Sequence, residues 1–403
     1  MPETDRELDL FFEALVEGRV SRRQMLSRLG AAGLTLSSAG TLLAACGGVK
    51  GTDQGGPKTT SATHPKVPIK ELDFSNWPLY INKNRAPLKS FEKKYPGSNV
   101  KYTEEINDNE EFFGKVRQQL QAGDSLNRDL VVLTDWMATR WVAAGWVEPK
   151  DKKNIPNEKN LSSNLAHPVW DKNRNFSLPW QSGMSAIGYN PDKTGREIKS
   201  IADLFDPKFK GKVSLFSDPH DSAGLMVLLA GKKTEDAGID DVLAGIAKID
   251  QENKKGQIRR FTGNDYSTDL VKGNVWLCMA YSGDVPQLKD QNPKLKFVIP
   301  EEGAMLWTDN MMMPQKPPHP YAAETMMNYV YDPKVAAVIA SYIQYVTPVE
   351  GTQAEIGAID PTLVHDELIF PTAQSRTKLH PYVTLTPSEE RQMNDAMQKV
   401  IGA

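Results

Sequence analysis

Asp129-Leu130-Val131-Val132-Leu133-Thr134-Asp135-Trp136 is the run on which the fold turns. Its middle is unbroken apolar sequence rich in valine and leucine, so it reads as a strand buried on both faces rather than one with a wet side. Upstream, Phe112, Val116 and Leu120 make a stripe of helical spacing that Gly123 ends. Asn99–Glu104 reads as a strand. Leu88, Phe91 and Tyr95 form a second helical stripe, stopped by Pro96-Gly97, and Leu72 and Phe74 alternate in a short first strand. Strand, helix, strand, helix, strand in this order predicts a largely parallel sheet covered by helices on both faces, an α/β fold. Downstream of Pro179 the pattern resumes. Strands are expected at Val213–Ser217, Trp276–Tyr281, Lys296–Ile299 and Trp307–Met312. Helices are expected at Ala223–Ala230, Ile239–Gln251, Pro320–Tyr331 and Pro333–Tyr345. Thr386-Pro387-Ser388-Glu389 is a capping box with proline at the first helical position, and it starts a last amphipathic helix to Ile401. No internal repeat is visible in the sequence.

The first 46 residues read as an address. Ser21-Arg22-Arg23-Gln24-Met25-Leu26 is a twin-arginine pattern. An uncharged stretch rich in Gly, Ala and Ser runs from Leu29 to Val49 and contains Leu43-Ala44-Ala45-Cys46. A basic flank, an apolar run and small residues before a cut describe a signal peptide. Cys46 stands where the lipobox of bacterial lipoproteins has its acylated cysteine. A membrane-spanning anchor is the competing reading, but Gly30, Gly33 and Gly40 make a poor lipid-facing surface. Residues 47–67 hold Gly, Thr, Ser, Pro and Lys, the composition of a flexible tether.

The whole chain has 403 residues and a net charge of −3, so no strongly basic surface argues for nucleic acid. With Cys46 acylated, Cys278 has no intrachain partner; in the apolar run Val275–Ala280 it reads as a buried, inert thiol. The six histidines show no metal-ligand spacing, and there is no nucleophile elbow or phosphate loop. Catalysis is therefore not expected, nor a cofactor or metal. What recurs is an aromatic ring beside short polar or acidic residues: Asn76-Trp77-Pro78-Leu79-Tyr80, Thr134-Asp135-Trp136, Ser217-Asp218-Pro219-His220-Asp221, Tyr281-Ser282-Gly283-Asp284 and Trp307-Thr308-Asp309. Each falls at or just after the C-terminal end of an expected strand, the edge at which open α/β sheets bind ligands. A ring face attracts a cation and a carboxylate accepts from an ammonium, so the set suits a methylene chain with amine ends. Asp135 and Asp221 fit a helix cap equally well.

These same residues resemble bacterial spermidine/putrescine-binding proteins, a branch of the two-lobed extracellular solute-binding proteins, over nearly everything from about residue 68 onward. The resemblance is carried by Leu72–Tyr80, Asp129-Leu130-Val131-Val132, Leu178-Pro179-Trp180 with Ala186–Asn190, Pro300-Glu301-Glu302-Gly303 through Trp307-Thr308-Asp309, Met327–Val330 with Asp332-Pro333, and Tyr345. It implies a two-lobed periplasmic-binding-protein type II fold with two hinge crossings, near Pro179–Ser182 and Trp307–Asp309. Lobe 1 would be residues 68–180 and 309–353, and lobe 2 residues 181–308 and 354–403. It implies that Trp77 and Tyr80 wall a methylene chain and that Thr134 and Trp136 line the first-lobe side. Asp218 and Asp221 would receive an amine from the second lobe. Tyr281 would stand where the family often has Trp, Trp307 would stack, Asp309 would bind an ammonium and Tyr345 would close the pocket. Pro78 replaces a hydroxyl residue of the family, Asp221 is one methylene shorter than the expected Glu, and Asp135 is an extra acid. Related diamines and guanidino compounds thus remain alternatives. The partners implied are a polyamine, the permease subunits of an ABC importer and the membrane through a lipid on Cys46, for an exported, monomeric chain. A binding protein for another small solute, or a ligand sensor, would look similar in sequence.

Overall fold

The computed structural model describes residues 62–402. The leader, Cys46 and most of the tether lie outside the described residues. Among the described residues eleven strands and nine longer helices carry the fold. In chain order they are β1 (Glu71–Asn76), α1 (Ala86–Lys94), β2 (Asn99–Glu104), α2 (Asn109–Ala122), β3 (Leu130–Thr134), α3 (Asp135–Ala143), β4 (Val147–Glu148) and β5 (Ser177–Tyr189). There follow β6 (Val213–Phe216), α4 (Pro219–Leu229), α5 (Ile239–Lys254), β7 (Ile258–Thr262), α6 (Tyr266–Lys272), β8 (Leu277–Tyr281), β9 (Lys296–Val298) and β10 (Ala304–Pro314). The chain ends with α7 (Pro320–Val330), α8 (Pro333–Ile343), β11 (Leu379–His380) and α9 (Pro387–Ile401).

The sheet runs β2-β1-β3-β10-β5-β8-β6-β7. Each end is a parallel triplet: β1 pairs with β2 and β3, and β6 with β7 and β8. Every residue of β3 is buried, as its unbroken apolar run requires. The two strands in the middle are antiparallel to their neighbours. The first, expected only as a chain crossing near Pro179–Ser182, is a strand of 13 residues, and the second, expected as a strand over Trp307–Met312, is one of 11 residues. Each belongs to both halves, so it must run against the parallel strands of at least one of them. Two apolar cores result. One gathers Leu72–Trp180 and Trp307–Val349, with Phe74, Phe112 and Trp141 at its centre. The other gathers residues from Ile187 to Met305 together with Met393, Met397 and Val400 of α9.

One boundary departs from the sequence reading, which placed 354–403 wholly in the second lobe. Ile356 and Ile369 pack on Ala337 and Ala340 of α8, in the first half. Alanines on that helix face leave room that the two isoleucines fill. The chain joins the second half only near β11, which pairs with Ala304 and Met305.

The register of the central strands sets the site. Asp309 lies opposite Thr134 of β3 on one side and Gln181 of β5 on the other. The next pair is Asn310 with Pro179, so one residue of β5, Trp180, is bulged out. Pro179 has no N–H to offer the ladder, which makes this the natural place for a register break. No helix among the described residues is long and apolar enough to cross a membrane. Cys278 is fully buried, and burial pushes its thiol upward, as an inert core cysteine should behave.

Candidate functional site

A cleft opens where the strand ends of the two halves face each other. From the first half come Trp77, Pro78, Tyr80, Asn109, Thr134 and Asp309. Trp77 follows β1 directly, and its indole N–H donates to the Val132 carbonyl at 3.0 Å, which pins the ring against β3. Pro78 and Leu79 then turn the chain. Leu79 has φ 58°, a left-handed conformation unusual for a branched apolar residue, and it directs Tyr80 back toward the sheet. The Tyr80 hydroxyl donates to Asp309 Oδ2 at 2.8 Å. Asp309 Oδ1 is buried and has no partner among the described residues. Burial raises this carboxyl to about 7; the Tyr80 hydrogen bond and the nearby Thr134 hydroxyl, which makes no hydrogen bond to Oδ1, only partly offset it.

From the second half come Asp218, Asp221, Asn264, Tyr281 and Tyr382. Asp218 is the N-cap of α4 and accepts from the His220 backbone N–H at 2.9 Å. Asp221 lies in the first turn of that helix, where it accepts from the Tyr382 hydroxyl at 2.9 Å. Burial and then the nearby Asp218 charge lift Asp221 to about 7. Tyr281 ends β8 and stacks on Phe216, 4.4 Å between ring centres.

Trp307 and Tyr345 cover the cleft. The Trp307 indole N–H donates to Ser185 Oγ at 2.9 Å, and its ring meets Tyr281 edge-on and Tyr345 at a tilt. Two glycines make this packing possible. A Cβ at Gly183 would stand 2.4 Å from the Trp307 ring, and one at Gly283 would stand 2.3 Å from the Tyr345 ring. The Tyr345 hydroxyl reaches across to Asp284 at 2.6 Å, and Tyr266 and Asn264 also donate to that carboxylate. Asp284 thus lies behind the cleft wall with its oxygens occupied. Burial raises it to about 7.

The arrangement is two carboxylates without a cationic partner inside a ring of aromatic faces. It can hold a compact cation by charge-assisted hydrogen bonds and the chain between two cations by its apolar walls. Among the described residues no cluster of His, Cys, Asp and Glu could hold a metal ion.

Comparison with known proteins places this geometry. The family model described as bacterial extracellular solute-binding protein matches residues 86–369, well over half of the chain. The chain belongs to that family. It is accordingly a solute-binding protein and not an enzyme. Among its relatives, a putrescine-binding periplasmic protein of Escherichia coli is 29% identical over 352 residues, covering 82% of this chain and 91% of the relative. A putrescine-binding periplasmic protein of Pseudomonas aeruginosa is 26% identical, covering 82% of this chain and 92% of the relative. The fold is shared with a solved spermidine/putrescine ABC transporter protein of Listeria monocytogenes. The TM-score is 0.70 at 23% identity, with 82% of this chain and 98% of that one covered. The two-lobed type II architecture of the solute-binding family is thus the fold of this chain.

Of the residues singled out in the sequence, Trp77, Tyr80, Thr134, Asp218, Asp221, Tyr281, Trp307, Asp309 and Tyr345 all line this same cleft. Trp136 does not. Helix α3 starts at Asp135, immediately after β3, and its first turn carries the indole past the cleft onto His220, 4.2 Å away and nearly parallel. Asp135 also turns away and accepts from the Asn310 amide at 2.6 Å; burial lifts it to about 6. Tyr382, Asn109 and Asn264 were missed. The two asparagines sit in ordinary polar loop or cap sequence, which marks nothing. Tyr382 lies some 37 residues beyond Tyr345 in a segment without periodicity, and only the return of the chain through β11 brings it to Asp221.

Proposed function

We propose that this solute-binding protein captures a polyamine in the interlobe cleft and presents it to the permease subunits of an ABC importer. The observation that carries this reading is Asp309: a buried carboxylate with one free oxygen, walled by Trp77, Tyr80, Trp307 and Tyr345. An unpaired buried charge is costly, and an ammonium ion at that oxygen would relieve the cost. Relatives named for putrescine, and one of Pseudomonas aeruginosa named for putrescine and cadaverine, support the same class of solute. In this reading the residues lining the cleft are the solute contacts, with Asp309 and Asp221 holding amines and the aromatic residues holding the methylene chain. The two lobes are residues 68–180 with 309 to about 370, and 181–308 with about 371–403. Strands β5 and β10 are the crossings about which they close. The chain is exported as a monomer behind the twin-arginine leader and held at the membrane by lipid on Cys46.

Titration calorimetry with putrescine, cadaverine, spermidine and agmatine tests the solute. At least one amine should bind the wild-type protein with an exothermic signal that Asp309→Asn abolishes. Absence of heat with all four would overturn the reading. Intact-mass measurement of the chain from its host should show cleavage before Cys46 and added lipid mass; an unmodified Cys46 would remove the anchor.

A further inference from the structure

Three carboxylates line the cleft, yet they are not equivalent. Asp218 Oδ1 takes both the backbone N–H and the ring Nδ1 of His220, each at 2.9 Å. The other ring nitrogen, Nε2, faces Glu390 of α9 at 3.9 Å. The flat faces of the ring are held by Trp136 and, at a tilt, by Tyr382. Two more charges pack here: Asp108 faces Asp218 with its oxygens taken by the Ser217 hydroxyl at 2.8 Å and the backbone N–H groups of Glu110 and Glu111, and Arg140 sits over Trp136 and reaches Glu110 at 2.7 Å and Glu390 at 3.6 Å. An imidazole with a carboxylate at each nitrogen holds both protons, because each acid stabilises the charged ring. The same balance shows in its titration: burial opposes the charge, but Asp218 and Glu390 carry the group to about 9.

We propose that His220 neutralises Asp218 and so limits the cleft to two available negative charges, Asp309 and Asp221, making the solute a diamine rather than a triamine. This rests on the amine reading of the cleft. Among the described residues no lysine or arginine lines it, and His220, whose charge also acts on Asp221, makes its hydrogen bond to Asp218 alone. Of the further acids nearby, Asp284 is turned to three neutral donors behind the wall and Asp108 to the Ser217 hydroxyl and the first N–H groups of α2. A third ammonium would be buried without a free carboxylate, a placement that is strongly disfavoured.

His220 is a positioning residue, and its test is the ratio of two affinities. Calorimetry on the wild-type protein should show putrescine or cadaverine bound at least about tenfold more tightly than spermidine, one unpaired buried charge being worth that or more. His220→Gln frees Asp218 and should move the spermidine-to-putrescine ratio toward spermidine by about tenfold. His220→Arg keeps the cation and should keep the diamine preference, so the test stands if the Gln variant fails to fold. Wild-type protein that binds spermidine as tightly as putrescine would sink the proposal. So would an equal loss for both amines in His220→Gln, the mark of a merely structural ring. If wild-type protein binds no amine, the broader reading falls and this one with it; if amines bind without regard to charge number, only this one falls.

Discussion

The two halves of the sheet repeat one design with different chemistry. Around the central β10–β5 pair, β3-β1-β2 on one side mirrors β8-β6-β7 on the other, each with its first strand in the middle of a parallel triplet. The acids, however, are mounted differently. In the first half Asp309 sits on a sheet strand, where it accepts from the Tyr80 hydroxyl and the nearby Asp135 charge adds to the effect of burial. In the second half Asp218 and Asp221 sit at the start of α4, where backbone N–H groups and the helix dipole favour negative charge, and His220 lies between them in sequence. The shared scaffold fixes where a solute can lie. The difference in mounting decides which end depends on the solute for its charge balance.

That asymmetry can be broken by experiment. The largest effect should come from Asp309→Asn. Losing one partner of a buried charged contact costs about 3 kcal/mol or more, over a hundredfold in amine affinity by calorimetry. Asp221→Asn, where the helix start and the Tyr382 hydroxyl already serve the carboxylate, should cost about 1.5–2 kcal/mol, ten- to thirtyfold. Equal losses would erase the distinction between the halves.

Acid gives a comparable test. Both carboxyls must ionise to hold ammonium ions, and each is lifted to about 7. Between pH 8 and 6 affinity should therefore fall about tenfold per carboxylate, near a hundredfold for the pair. A tenfold fall would mean that only one half uses its acid.

Stability should run the other way without solute. A carboxyl raised on folding lends stability that is full below its ordinary range and is lost as pH rises through about 7. The solute-free protein should melt lower at pH 8 than at pH 5.5, whereas a saturating diamine should reverse that order in a thermal scan. His220, held near 9, stays charged across this window. Smallest of all, Trp136→Ala removes the ring stacked on His220 from the opposite half. It should weaken every amine by roughly fivefold, about 1 kcal/mol, without changing their order.

Much of this is legible in the sequence. β3 was readable because a strand covered on both faces must be apolar throughout. The last helix was readable because Thr386 and Glu389 bond reciprocally, and both bonds form. The aromatic–acid pairs were readable because they recur at strand ends. Trp136 misled because strand β3 passes into α3 without a loop, and the first turn of a helix swings successive side chains through about 100° each. The resemblance marks Leu178-Pro179-Trp180 as a crossing, but the length of β5 is not legible there, because Leu178-Pro179-Trp180-Gln181-Ser182-Gly183 mixes apolar, polar and breaker residues and its burial comes from neighbours.

Local sequence by itself determined the elements, the strand ends that carry chemistry, and the absence of any spacing suited to catalysis, because these depend on side chains a few residues apart. Tertiary structure alone decided which acid is free and which is answered. Asp218, Asp221 and Asp309 look alike in a chain. His220 meets Asp218 locally, two residues along at the start of α4, and only folding brings Glu390 toward its other nitrogen, Tyr382 to Asp221 and Tyr80 to Asp309, through the return of the C-terminal segment and the register of β10.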